Sequence, residues 1–173
     1  YQHFIKSGIA PDTALLEKAG LITAKKDKPG QYYDKFRNRV IFPIFDVQGN
    51  VIAFGGRRIN EQDNPKYINT SDTLVFKKSK FLFSMNFAKN TKEKSLILAE
   101  GYMDVIAIYS AGFENVVATL GTALTSEQAR LIKQYADEVV ISYDSDEAGE
   151  EGTARAINLL SEAGVNTRII KME

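Results

Sequence analysis

From residue 95 onward, short apolar runs alternate with segments of helical periodicity. Four apolar runs predict strands: SLILAEG (95–101), NVVATLG (115–121), EVVISYD (138–144) and NTRIIKM (166–172). Three segments between them predict helices: 103–112, 125–136 and 147–164. Alternating strands and helices at this spacing imply parallel pairing with right-handed crossovers. Nearly continuous apolar strands are typical of a sheet covered by helices on both faces. Residues 95–173 are therefore predicted to form a doubly wound, mainly parallel α/β unit.

The first half of the chain has a different pattern. Residues 8–22 predict a helix that starts at Pro11 and Asp12 and stops at Gly20, and the polar residues 25–35 predict a loop. Two β-rich runs within 40–59 flank Gly49-Asn50 and predict a hairpin. The apolar residues expected in its core are Val40, Ile41, Phe42, Ile44, Val51 and Ile52. We thus expect a smaller α+β subdomain over 1–90 and an α/β domain over 91–173.

Composition narrows the classes of function. The chain of 173 residues has no Cys, which excludes disulfides and thiolate zinc sites. Its single His, His3, argues against a Ser-His-Asp triad. No apolar run approaches the length of about 20 residues that spans a bilayer, and no signal peptide is visible. The chain starts with Tyr1 and not with Met, so we expect it to be a piece of a longer protein.

The net charge of zero conceals an asymmetry between the two halves. Residues 1–90 carry 15 Lys and Arg against 8 Asp and Glu, whereas residues 91–173 carry 7 against 14. A basic half of this kind indicates polyanion binding, and the alternative is a pair of solvated faces with a chance bias.

Acidic side chains follow two of the predicted strands. Glu100 ends one strand, Asp144 and Asp146 end another, and Asp104 lies one helical turn after Glu100. In open parallel sheets, ligands bind beyond the carboxyl ends of the strands. If the two strands are neighbours, these carboxylates converge, and converging carboxylates need a proton or a cation between them. Mg²⁺ suits such a site because it takes one or two carboxylates and leaves room for phosphate oxygens.

Simpler roles compete with metal binding for each acid. Asp146 or Ser145 is also a good cap for the helix that begins near Glu147, and Glu100 is also a favourable charge near a helix start. An EF-hand does not fit, because Ala148 and Arg155 stand where calcium ligands are needed. No glycine-rich dinucleotide fingerprint follows the first strand.

Three strand-end motifs carry a resemblance to a known fold family. EGYMDV (100–105), TLGTALT (119–125) and YDSDEAG (143–149) resemble the signatures of a TOPRIM domain, found in primases, topoisomerases and some nucleases. The basic block FRNRVIFPIFDVQGNVIAFGGRRI (36–59), with NPKYINTSDTLVFKKSKFLF (64–83), resembles the RNA-polymerase core of bacterial replicative DNA primases of the DnaG type. Together these stretches extend over most of the chain.

This resemblance implies DNA-templated synthesis of short RNA primers by metal-dependent nucleotidyl transfer. The implied catalytic residues are Glu100, Asp104, Asp144 and Asp146. Glu100, Asp144 and Asp146 would bind Mg²⁺, for which Mn²⁺ can substitute, and Asp104 would support them. A role of Glu100 as general base stays open. No zinc is expected in this fragment.

Basic and aromatic residues of the first half are expected to bind the template and the nucleotides. Arg suits bidentate phosphate contacts, Lys acts as a point charge, and aromatic rings stack on bases. The expected binding residues are Arg37, Arg39, Arg57, Lys66, Tyr67, Lys77 and Lys80, with Phe76 as a further stacking candidate and Gly55-Gly56 allowing close approach of the backbone. Arg57 and Lys66 match primase positions implicated in nucleotide or template handling.

The implied partners are a single-stranded DNA template, ribonucleoside triphosphates, the RNA primer and, through a C-terminal domain not present in this chain, the replicative helicase. No membrane partner is expected, and the implied location is the bacterial cytoplasm, associated with the nucleoid. Two features differ from the family: Glu147 stands where a basic residue is frequent, and a further acidic segment after the last strand is missing. We therefore expect a core fragment, truncated at its C-terminal end, with weak or no activity when isolated.

Two other hypotheses about the function of this chain stay open. The chain is alternatively part of a TOPRIM nuclease or topoisomerase, or a nucleic-acid-binding module with an inert acidic edge. Nicking or relaxation of supercoiled DNA would indicate the first alternative. Binding of single-stranded DNA that is independent of metal and of the acidic residues would indicate the second.

Overall fold

The computed structural model describes residues 1–170, apart from the side chains of Gln2 and Ala148. The last part of the predicted strand 166–172 therefore lies outside the described residues. The helices are α1 (Gln2–Lys6), α2 (Thr13–Lys18), α3 (Met85–Ala88), α4 (Tyr102–Ser110), α5 (Ser126–Lys133) and α6 (Glu147–Glu162). The strands are β1 (Ile22–Ala24), β2 (Tyr32–Asp34), β3 (Arg39–Phe45), β4 (Val51–Arg58), β5 (Tyr67–Asn69), β6 (Ser95–Ala99), β7 (Val116–Ala118), β8 (Glu138–Ser142) and β9 (Asn166–Ile169).

The chain divides into two compact units. The first comprises Tyr1–Pro43 and Ile52–Lys77, and the second comprises Ile44–Val51 and Lys78–Glu173. The tip of the predicted hairpin therefore groups with the α/β unit and not with the rest of the basic half. The domain boundary near residue 90, which was drawn from a change in sequence pattern, stays a prediction.

In the first unit, the predicted helix 8–22 is shorter than expected. The Asp12 side chain accepts a hydrogen bond from the Leu15 N–H at 3.0 Å and caps α2, which ends at Lys18. Gly20 follows with φ +71°, a backbone conformation that favours glycine, and Ile22 already belongs to β1. β1 pairs with β2 in an antiparallel ladder, so part of the predicted loop 25–35 is a strand.

The predicted hairpin within 40–59 is confirmed. β3, β4 and β5 form a three-stranded sheet in that order, and Gly49 takes φ +95° in the turn. The Asp46 carboxylate accepts hydrogen bonds from the N–H groups of Gln48 and Asn50, both at 2.9 Å, which fixes the turn.

The expected core of this hairpin is correct only in part. Ile44 is buried, but Val40, Ile41 and Val51 are exposed. Their assignment to the core was wrong, because apolar character along a strand does not reveal which of its faces is covered.

The second unit is the doubly wound parallel sheet that the sequence predicts. Its strand order is β7-β6-β8-β9, and the three pairings are parallel. Alternate residues of β6 face opposite layers. Leu98 joins a core with Ala129 of α5 and Leu160 of α6. Ala99 joins a second core with Val105 of α4. Helices thus cover both faces, which explains the continuous apolar character of the strands.

This topology places three loops at one edge of the sheet. In the ladder, Ala99 of β6 is the partner of Ser142 of β8 and of Ala118 of β7. The three strands therefore end at the same level, and the residues that follow them meet at the carboxyl edge of the sheet. This edge is where ligands bind in open α/β folds.

Among residues 1–170, no helix combines the length and the apolar character needed to cross a membrane.

Candidate functional site

The acids that follow β6 and β8 lie side by side at the carboxyl edge. The Oε1 atom of Glu100 accepts a hydrogen bond from the backbone N–H of Asp144 at 3.0 Å. Burial raises the pKa of Glu100 above its usual value, and the nearby negative charges of Asp144, Asp146 and Asp104 raise it further, while the Asp144 N–H opposes them. The four predicted acids therefore lie close enough to interact, and Glu100 lies near the other three.

Two of these acids also have local structural roles. Asp146 is the N-cap of α6, and its Oδ1 atom accepts a hydrogen bond from the Gly149 N–H at 2.8 Å. Asp104 lies in the first turn of α4, and its Oδ2 atom accepts from the Gly101 N–H at 3.0 Å. The capping alternative for Asp146 is thus confirmed. Capping occupies one carboxylate oxygen, so it does not exclude a second role.

A cavity of about 360 Å³ opens beside these acids. Glu100 and Asp146 line it together with the loop between β7 and α5 and with the first turns of α6. The remaining lining residues are Thr119, Gly121, Thr122, Ala123, Leu124, Tyr143, Gly149, Gly152 and Arg155. The three motifs that resemble TOPRIM signatures therefore contribute to one cavity.

Gly149 allows the start of α6 to lie against the loop after β8. A Cβ atom at this position would overlap the carbonyl oxygen of Asp144 and come within 3.2 Å of Glu100 Oε1. At Gly152, one turn later, a Cβ atom would meet only the Tyr143 ring at 3.5 Å, an ordinary contact. The sequence analysis did not identify Gly149 as a site residue. The only sequence signal was its unfavourable place inside a predicted helix.

The sequence analysis also did not identify Arg155 and Tyr143 as residues of the site. Arg155 lines the cavity and forms an ion pair with Glu151 at 2.6 Å, so a cation stands among the acids of α6. Burial and the neighbouring Glu100 charge raise the pKa of the Tyr143 hydroxyl, which therefore stays protonated. A basic residue two turns into a helix that starts with acids was a usable signal for Arg155.

The acids provide the right donors for a hard cation but no preformed cage. Within the described part of the chain, no group of three or more Asp, Glu, His or Cys side chains is arranged to hold a metal ion. Mg²⁺ in phosphate-transfer sites usually binds one or two carboxylates and completes its shell with waters and substrate phosphates. The carboxylates of Glu100, Asp144 and Asp146 are donors of the kind that suits such an ion.

In the first unit, three predicted binding residues form one cluster. Arg57 of β4 is the ladder partner of Tyr67 of β5. The Arg57 guanidinium carbon lies 5.7 Å from the centre of the Tyr67 ring, and Lys66 Nζ lies 5.8 Å from it. Two cations on one aromatic ring can bind phosphate while the ring offers a surface to a base.

Arg37 and Arg39 lie at another cavity of the first unit. Its volume is about 500 Å³, and its lining includes both arginines, Tyr33 and Lys35. Arg37 lies 5.1 Å above the Tyr33 ring, and Arg39 donates to the Lys66 carbonyl at 3.4 Å. Arg39 thereby connects this cavity to the Arg57 cluster.

The remaining candidates differ in their surroundings. Phe76 is fully buried, so its expected role in base stacking is wrong. Lys77 is exposed and follows it directly. Lys80, in the second unit, forms an ion pair with Glu127 at 3.5 Å. Gly56 is also buried, and a Cβ atom there would come within 3.0 Å of the Phe36 ring.

Comparison with known proteins gives two family matches. Residues 1–89 match the family described as DNA primase catalytic core, N-terminal domain, and residues 97–173 match the family described as Toprim-like. Both resemblances inferred from the sequence motifs are confirmed.

Curated relatives and solved structures agree with these families. The DNA primase of Clostridium acetobutylicum is 50% identical over 170 residues, which is 98% of this chain and 28% of that protein. The crystal structure of the Aquifex aeolicus primase, comprising its zinc-binding and RNA polymerase domains, superposes with a TM-score of 0.88 at 41% identity, over 99% of this chain and 43% of that one.

A DnaG primase catalytic domain bound to single-stranded DNA superposes with a TM-score of 0.85 at 33% identity, over 98% of this chain and 54% of that one. The chain thus spans under a third of the Clostridium primase and about half of the solved domains. The match to the primase family extends over more than half of this chain, and this chain belongs to the DNA primase catalytic core family.

Proposed function

We propose that this chain forms part of the catalytic core for DNA-templated synthesis of short RNA primers, by metal-dependent nucleotidyl transfer. The observation that carries the proposal is the contact of Glu100 with the Asp144 backbone, which brings the acids of two strands to one cavity. In this proposal residues 1–90 handle template and nucleotides, and residues 91–173 provide the acidic site.

Glu100, Asp144 and Asp146 are the residues that would hold Mg²⁺, with Mn²⁺ as a substitute. When bound, the cation lowers the pKa of the attacking 3′-hydroxyl and neutralises charge on the transferred phosphoryl group. The pKa of Glu100 is raised first by burial and then by the charges of its acidic neighbours, and a cation between these acids would relieve that repulsion. Glu100 as general base is the competing assignment for that residue.

The other residues of the site orient the acids. Asp104 holds the Gly101 N–H and thereby fixes the turn that follows Glu100. Gly149 allows α6 to approach the Asp144 carbonyl, so the positive end of the helix faces the cavity, where it favours phosphate. Catalysis then consists mainly of positioning and electrostatic stabilisation.

We assign the binding of template and nucleotides to basic residues. Arg57, Lys66 and Tyr67 form the first cluster, and Arg37 and Arg39 line the second cavity, with Lys77 and Lys80 as further phosphate contacts. The related DnaG catalytic domain was solved with single-stranded DNA, which supports a single-stranded template for this chain. Ribonucleoside triphosphates and the primer are its other partners, and a replicative helicase is reached through another domain. Primer synthesis for replication implies a location in the bacterial cytoplasm, at the nucleoid.

The decisive experiment is primer synthesis on a single-stranded DNA template, with Mg²⁺ or Mn²⁺, by a protein that contains this chain and the rest of its catalytic domain. We expect labelled RNA products from the parent protein and at least a hundredfold less from Asp144→Ala. Metal-independent binding of DNA without products would contradict the proposal and favour an inert nucleic-acid-binding module. Nicking of supercoiled DNA would favour a nuclease.

A further inference from the structure

Gln128 of α5 is a fully buried polar side chain whose hydrogen bonds reach far along the sequence. Its Nε2 atom donates to the carbonyl oxygens of Lys78 at 2.9 Å and Phe81 at 2.8 Å. Its Oε1 atom accepts from the Thr125 N–H at 3.0 Å. A buried amide with both donors and its acceptor used is an ordered group, since leaving any of these atoms unpaired would be unfavourable.

Thr125 adds a third contact to the same loop. Its hydroxyl donates to the Ser79 carbonyl at 2.6 Å and accepts from the Gln128 N–H at 3.1 Å. The carbonyls of residues 78, 79 and 81 are thus all bound by two side chains of one helix start. Residues 78–81 lie outside the helices and strands of the fold, so these side chains hold the loop where a backbone ladder does not.

Helix capping alone does not require this arrangement. In a capping box the residue at the third helical position accepts from the N-cap N–H, and Glu serves as well as Gln. A glutamate would satisfy the Thr125 N–H equally but has no N–H groups for the Lys78 and Phe81 carbonyls. The amide donors of Gln128 and the hydroxyl donor of Thr125 therefore serve the loop and not the helix.

The loop held in this way is basic, and Thr125 links it to the wall of the acidic cavity. It contains Lys78 and Lys80, and Lys80 is exposed apart from its ion pair with Glu127. Thr125 directly follows Leu124, which lines the cavity with Glu100 and Asp146. The same two residues thus join the cavity wall to a lysine-bearing segment.

We propose that Gln128 and Thr125 are positioning residues that hold residues 78–81 so that the Lys80 ammonium, with Lys78, meets the phosphates of a single-stranded nucleic acid at this cavity. The inference rests on the proposed function, because it assigns a use to that site. It predicts that nucleic-acid contacts are lost when the loop is released, even though no charge is removed.

The test is the salt dependence of single-stranded DNA binding, measured by fluorescence anisotropy with a labelled oligonucleotide. Gln128→Met keeps volume and charge and removes the hydrogen bonds. We expect its affinity to fall about threefold to tenfold and the slope of log affinity against log salt to fall by about 0.7 for each lost phosphate contact. Thr125→Ser keeps the hydroxyl and should bind like the parent protein.

A double-mutant cycle separates positioning from general destabilisation. Lys80→Gln alone should weaken binding, and in the Gln128→Met background it should add little, because the lysine is already misplaced. Gln128→Met that lowers Tm but leaves affinity and slope unchanged, or that is additive with Lys80→Gln, would overturn the proposal. If circular dichroism shows that Gln128→Met does not fold, Thr125→Val, which removes the hydroxyl bonded to Ser79, takes its place with the same expectations.

The same data distinguish the two levels of inference. If the parent protein does not bind single-stranded DNA, the proposed function fails and the positioning role fails with it. If the parent binds and Lys80→Gln weakens binding while the Gln128 and Thr125 variants do not, only the positioning role is wrong.

Discussion

The Glu100 carboxylate accepts a hydrogen bond from the backbone N–H of Asp144, 44 residues further along the chain. The contact joins the residue after β6 to the second residue after β8. It gives Glu100 a donor at the same place where Asp144, Asp146 and Asp104 repel its charge. The Asp144 backbone therefore fixes the position of Glu100 although neighbouring carboxylates repel its charge.

Replacing Glu100 by Gln should raise the stability of the fold and lower the activity. The raised pKa means that the folded state holds the Glu100 proton more tightly than the unfolded state, so the ionised residue destabilises the fold at neutral pH. Glu100→Gln keeps an oxygen for the Asp144 N–H and removes the charge. Since solvent screens a half-buried group, we expect a gain of about 0.5 kcal/mol, or about 1–2 °C in Tm, at pH 7.

The pH dependence of the stability gain in Glu100→Gln provides the control. The gain should shrink as the pH falls through the folded-state pKa of Glu100 towards its ordinary value of 4.5, because the parent residue then becomes neutral as well. Thermal melts at pH 7 and pH 4.5 would show this. Primer synthesis by Glu100→Gln should fall by at least about a hundredfold, whereas a Glu100→Gln protein with parental activity would remove Glu100 from the site.

Two substitutions of Asp146 separate its capping role from metal binding. Asn is as good an N-cap as Asp, so Asp146→Asn should leave the unfolding free energy nearly unchanged. Asp146→Ala loses the bond to Gly149 as well and should lower it by about 1 kcal/mol. If the carboxylate binds the cation, both variants should lose activity, by about tenfold to a hundredfold. Full activity in Asp146→Asn would leave Asp146 with the capping role alone.

Gly149 and Gly152 form a matched pair for the approach of α6 to the β8 loop. Gly149→Ala should displace the helix start, because the new methyl group would overlap the Asp144 carbonyl. We expect a loss of about 1–3 kcal/mol and impaired activity. Gly152→Ala meets only an ordinary contact with Tyr143, so helix propensity should make it neutral or stabilising by up to about 1 kcal/mol. Equal effects of the two changes in urea unfolding would contradict this account.

Lys66→Gln tests the cluster around Tyr67. If the Lys66 ammonium contacts a template phosphate, its removal should lower the salt slope of single-stranded DNA binding by about 0.7 and weaken binding similarly for all sequences. Lys26→Gln removes the same charge from an exposed residue of the same unit and should change the slope much less. Equal effects of the two variants would indicate only a general dependence on net charge.

Local sequence patterns determined much of the secondary structure of this protein. The alternation of apolar strands and amphipathic helices after residue 95 predicted the strands and helices from β6 to α6 within a few residues, whereas α3, which lies before residue 95, was not predicted. Thr125 and Gln128 have the spacing of a capping box, and both of its hydrogen bonds are present. These features depend on neighbours three or four residues apart, so the sequence contains everything needed to infer them.

Tertiary structure decided which strands are neighbours and which surfaces of the elements are buried. The convergence of Glu100 with Asp144 required β6 and β8 to be neighbours, and the order β7-β6-β8-β9 is not encoded in any single segment. The exposure of Val40 and Ile41, the burial of Phe76 and the two carbonyls that Gln128 reaches nearly 50 residues away depend on which surfaces pack together. Side-chain periodicity determines how an element can be amphipathic, but only the packing of distant segments determines which partner each face and each polar group receives.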